Sequence, residues 1–112
     1  MNKNPVNLLT MLAFSVFCHL VQAAEHASEA LEHTTQAASS AGDSKAVAEH
    51  ATEALKHVEA AKAEATNPSV VKHLNQSETD LKSALKNAER FNTGEAAREA
   101  QDAKAHLDAI DK

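Results

Sequence analysis

Residues 24–57 read AEHASEALEHTTQAASSAGDSKAVAEHATEALKH, a ten-residue block, a break and the block again. Ala24-Glu25-His26-Ala27-Ser28-Glu29-Ala30-Leu31-Glu32-His33 returns as Ala48-Glu49-His50-Ala51-Thr52-Glu53-Ala54-Leu55-Lys56-His57, with eight of ten positions identical. Both copies are built mainly on Ala, Glu and Leu, strong helix formers. Between them stands Gly42-Asp43, a glycine closing one helix and an acid capping the next. A break this short predicts an antiparallel helical hairpin.

The same punctuation recurs outward. Asn67-Pro68 sets a cap residue before a proline at the first helical position, and Asn92-Thr93-Gly94 makes a third break. Helices are therefore expected over about 25–41, 44–66, 68–91 and 95–111, and no segment alternates like a strand. The predicted fold is all-α, an up-down-up-down antiparallel four-helix bundle. The fourth helix keeps the frame of the block from Ala97 to His106; the third keeps it loosely, with His73 and Asp80 in the two histidine slots.

Ahead of the first block lie Lys3 and a mostly apolar run, Leu8 to Val21, about the length of a signal-peptide core and shorter than the ~20 residues of a spanning helix. Val21-Gln22-Ala23 presents small residues for cleavage after Ala23. Residues 1–23 are thus expected to be a signal peptide and 24–112 the exported domain, with no membrane attachment once the leader is removed. Cys18, the only cysteine, leaves with it, so no disulfide can staple the domain.

Losing Lys3 leaves 10 cations against 16 acids, a net charge of −6. That balance disfavours nucleic acid and anionic lipid, which reward clustered Lys and Arg. The large apolar residues left to build a core are Leu31, Val47, Leu55, Val58, Val70, Val71, Leu74, Leu81, Leu85, Phe91, Leu107 and Ile110, with alanine at most other inward positions. A single core of this size gives only a few kcal/mol, which leaves room for a bound ligand to matter to stability.

The histidine rows carry the functional signal. At ~100° per residue, positions i, i+3 and i+7 fall within about 60° of one another. His26, Glu29 and His33 therefore share a face, as do His50, Glu53 and His57, each row at the margin of its helix's apolar stripe. Histidines seven apart are separated by roughly 10 Å, too far to hold one ion, so each needs a partner from a neighbouring helix. Counting outward from Gly42-Asp43 brings His33 level with His50 and His26 level with His57. Counting from Thr93 brings Asp80 level with His106. Imidazole with carboxylate suits divalent transition metals, copper(II) by affinity, zinc(II) or nickel(II) as alternatives. The candidate ligands are His26, Glu29, His33, His50, Glu53, His57, His73, Asp80 and His106.

A blander reading stands beside this one. Duplication can propagate a solvated histidine, and helix glutamates often serve only as partners of lysines a turn away. The chain would then be a structural or helix-interaction bundle, its alanine-rich faces meeting an unidentified protein partner. Enzyme signatures are missing: no acid precedes a histidine by three residues, and there is no H-E-x-x-H or glycine-rich phosphate loop.

The A-E-H-A-(S/T)-E-A-L-x-H blocks behind a leader resemble the small metal-binding protein (SmbP) family of bacterial periplasms. The resemblance implies a periplasmic, histidine-rich four-helix bundle that buffers or scavenges several divalent metals, copper prominently. This chain is histidine-poor by that standard, keeping only His26, His33, His50, His57, His73 and His106 after residue 23.

Overall fold

The computed structural model describes residues 5–111, with side chains over 22–110. The leader expected at residues 1–23 lies outside the described side chains except for Gln22 and Ala23. The elements are α1 (Pro5–Ser39), α2 (Ser44–Glu64), α3 (Pro68–Glu89) and α4 (Thr93–Asp108), closed by a short 3-10 turn over Ala109–Asp111. The protein is all-α, with no strand among the described residues. Each helix packs on the next and α4 returns to α1, while the diagonal α2–α4 contact is slight. That closed ring is the up-down-up-down bundle.

Two of the helix starts form as the punctuation predicts. The Asp43 carboxylate accepts the Ala46 amide at 3.1 Å, and the Asn67 side chain accepts the Ser69 amide at 2.9 Å ahead of Pro68. Each satisfies an amide that the first helical turn leaves without a partner. Asn92 precedes α4 without such a bond.

The helix ends differ from expectation. Neither glycine has a positive φ. α1 stops at Ser39, the Asp43 amide donates to the Ser40 carbonyl at 2.9 Å, and Gly42 lies within that turn. The left-handed position belongs instead to Phe91, at φ 60°. The Phe91 amide donates to Ala88 O at 2.9 Å and the Asn92 amide to Asn87 O at 2.9 Å, the paired bonds of a Schellman ending. The backbone reversal turns Phe91 outward, 84% exposed, so this ring does not join the core.

The core is as thin as the composition implies. Val47, Val58, Leu74 and Leu81 are its largest fully buried apolar side chains, and alanines fill most of the rest. Leu31, Leu55, Val70, Leu85 and Ile110 pack half-buried against it. Towards the Gly42 end the cluster is alanine apart from Val47. Small side chains let helix axes approach towards about 8 Å, which brings the margins of neighbouring helices within reach of each other. Two buried hydroxyls are satisfied locally: Thr34 donates to Ala30 O at 2.6 Å and Ser77 to Leu74 O at 2.9 Å. Across the α2–α3 seam Lys62 pairs with Glu78, which also accepts from Lys82 at 2.6 Å. Among the described residues no helix is long and apolar enough to cross a membrane.

Candidate metal centre

α1 and α2 run antiparallel, so rising by one heptad on α1 means falling by one heptad on α2. His26 meets His57 at a ring separation of 5.6 Å and His33 meets His50 at 6.1 Å. These are the pairings the hairpin count predicts. The His57 ring also lies nearly parallel to His33, 5.5 Å away. Four imidazoles therefore form one continuous row, His26, His57, His33, His50, along the α1–α2 edge.

At one end of the row a carboxylate completes a set of three. Glu29 Oε2 lies 2.9 Å from His57 Nδ1 and 3.3 Å from His26 Nδ1, and the two Nδ1 atoms are 3.4 Å apart. With metal–ligand bonds of about 2.0–2.1 Å, ligands at right angles sit about 2.9 Å apart and tetrahedral ligands about 3.3 Å apart. All three separations fall in or beside that range. The circle through the three atoms has a radius of about 1.9 Å, just under one such bond. An ion there would sit slightly out of the ligand plane, with a further position open. The side chains are 35%, 44% and 24% exposed for His26, Glu29 and His57, so the site is a partly open edge. Among the described residues this is the one group of three donors close enough to hold a metal ion.

A sequence profile described as "Small metal-binding protein" matches residues 1–110. The chain belongs to the small metal-binding protein family. A comparison with curated proteins returns no match. Metal binding is thus the family's property, and the His26–Glu29–His57 group is where this member's side chains could hold an ion.

The other candidate residues of this family member are arranged less completely. His33 and His50 face a shallow cavity of about 630 Å³ that Glu49, Glu53 and Glu89 also line. Glu53 accepts from Lys56 at 2.8 Å, and that hydrogen bond holds its carboxyl below the usual range, with His33 and His57 contributing weakly. It is directed to a lysine, where the spacing had offered it to a histidine. His33 Nδ1 is a buried atom with no hydrogen-bond partner among the described residues. Glu89, at the end of α3, had no signal in the sequence because it enters the cavity from a different hairpin.

Across α3 and α4, Asp80 Oδ2 lies 3.4 Å from His106 Nε2, again the expected register. His73 is 6.3 Å from His106 between ring centres, and its Nδ1 is buried without a partner among the described residues. Burial pushes the Asp80 carboxyl up, His106 opposes that, and Asp102 adds to it. The three side chains share an edge, but they do not converge as the first group does.

Proposed function

We infer that the protein is a periplasmic buffer or scavenger of divalent transition metals that binds without catalysis. The observation that carries this reading is the triangle of donor atoms on His26, Glu29 and His57, with sides matched to the ligand spacing of a coordinated ion. Two imidazoles and one carboxylate favour copper(II), with zinc(II) and nickel(II) as weaker cargo. The partly exposed edge suits a carrier that must also release its ion. His33 with His50, and His106 with Asp80, are secondary positions of lower affinity, since each pair needs ligands beyond those in contact.

Calorimetry of metal-stripped protein tests this. Copper(II) should bind with measurable heat, raise the melting temperature, and be shed at about pH 5, where protons compete for imidazole lone pairs. Neither heat nor a melting shift with copper, zinc or nickel would leave the helix-interaction reading in its place. Copper retained unchanged at about pH 5 would exclude histidine ligation.

A further inference from the structure

His26 is the third residue after the expected cleavage point, and that position gives it a second coordination chemistry. Hydrolysis of the Ala23–Ala24 peptide, consuming one water, leaves a carboxylate on Ala23 and a free α-amine on Ala24. We propose that the processed protein carries an amino-terminal copper(II) or nickel(II) site made of the Ala24 amine, the Glu25 and His26 backbone nitrogens and His26 Nδ1. This rests on the signal-peptide reading, and the chelate shares His26 Nδ1 with the side-chain triangle.

In an α-helix each amide donates to the carbonyl four residues earlier. In uncut α1 the Glu25 and His26 amides belong to Val21 and Gln22, residues that cleavage removes. The cut therefore frees the two nitrogens such a chelate uses. Amine, two amide nitrogens and imidazole close fused five- and six-membered rings around one ion, and the ion displaces two amide protons to water. Four nitrogens in a plane select copper(II) and nickel(II), while zinc prefers a tetrahedron.

The chelate requires the first turn to open, because residues two apart on a helix point about 200° away from each other. The surroundings permit it. Ala24 and Glu25 are exposed, and the first well-buried side chain after the cut is Ala27. Beside Ala24 lies a cavity of about 210 Å³ bounded by Ala65, Val70 and Ile110, which leaves room for a rearranged turn. His26 Nδ1 already faces metal-type donors in Glu29 and His57. One Nδ1 cannot serve both sites at once, so in the processed protein His26 belongs to the planar chelate when that holds copper(II) or nickel(II) and to the side-chain triangle otherwise.

The test produces the protein from the full-length sequence in an exporting bacterium, records its intact mass, and adds one equivalent of copper(II) for electron paramagnetic resonance. The expected chain begins at Ala24 and gives a square-planar spectrum split by four nitrogens. His57→Ala should retain that spectrum. Glu25→Pro should lose it, because proline has no amide proton to give up and is tolerated in a first turn. If the chain begins at Ala24 but His57→Ala abolishes the signal, or Glu25→Pro leaves it intact, the chelate is overturned and the triangle stands. A recovered chain that keeps residues 1–23, or starts elsewhere, overturns the leader reading and the chelate with it.

Discussion

The two hairpins of the bundle divide the work. The α1–α2 hairpin carries four of the six histidines whose side chains are described, yet its largest fully buried apolar side chains are only Val47 and Val58. The α3–α4 hairpin carries two histidines but supplies Leu74, Leu81 and Leu107, the buried leucines. Alanines line most of the inner faces of α1 and α2, and the imidazoles at their margins meet across the seam. Bulk on α3 anchors the assembly without bringing its own polar margin to convergence. The half without a fully buried leucine holds the ligand set, and the half that buries three holds most of the core's bulk.

Removing bulk from the second hairpin should have the largest effect. Leu81 is fully buried, and Leu81→Ala should cost about 3 kcal/mol in urea unfolding with chelator present. Leu55→Ala, half-buried on α2, should cost clearly less. Copper(II) at a hundredfold excess over its dissociation constant should restore about 2.7 kcal/mol by mass action. Equal losses from the two leucines, or no rescue by copper, would break the division.

Next comes the ligand half. His57 touches Glu29 and lies between His26 and His33. His57→Ala should weaken binding of zinc(II), which the planar chelate does not take up, about a hundredfold, at the upper end of the effect of losing even an outer-shell partner of a metal site. His106→Ala should change it by less than about threefold, since no third donor converges there. Calorimetric titration distinguishes these, and comparable losses would mean that the second hairpin binds as well as the first. Replacing His33 and His50 together should remove a weaker binding step and spare His26 with His57.

How much of this was legible without coordinates depends on the kind of contact. Register was readable because a hairpin with a short break fixes which positions come level. That placed His26 opposite His57, His33 opposite His50 and Asp80 opposite His106. Competition among neighbours was not readable. Glu29 stands three residues after His26 and four before His33, and periodicity could not choose; His57 coming level with His26 decides it. Glu53 occupies the equivalent slot in the second block, but Lys56, three residues on, accepts the role of partner where the first block has Glu32. That one difference between the blocks leaves one carboxylate with histidines and turns the other to a lysine. Phe91 escaped a pattern-based reading because its place follows from a left-handed backbone at the end of α3.

The seam between the hairpins should respond to pH. Hydrogen bonds from Lys62 and Lys82 hold the Glu78 carboxyl below its ordinary value of 4.5. A lowered carboxyl contributes stability that is present above the unfolded value and is lost as pH falls through the folded one. Glu78→Gln should therefore cost about 1–2 kcal/mol at neutral pH, the scale of a hydrogen bond to a charged group. The difference from wild type should shrink as pH drops below about 4.5. A loss independent of pH would reduce the seam to shape alone.

Two residues further along α3 the sign reverses. Burial raises the Asp80 carboxyl above its ordinary 3.8, and His106 at 3.4 Å only partly offsets that. A raised carboxyl binds its proton more tightly in the folded state, so stability falls as pH rises from the unfolded value through the folded one. In chelated buffer Asp80→Asn should stabilise the protein by a few tenths of a kcal/mol at neutral pH, with the gain vanishing near pH 3, where both forms are neutral. Glu78→Gln and Asp80→Asn, measured together, thus move in opposite directions at neutral pH and converge in acid. Destabilisation by Asp80→Asn would mean that the contact with His106 outweighs burial. The second hairpin would then hold a committed acid–imidazole pair, and its distinction from the first would rest on the missing third donor rather than on weak electrostatics.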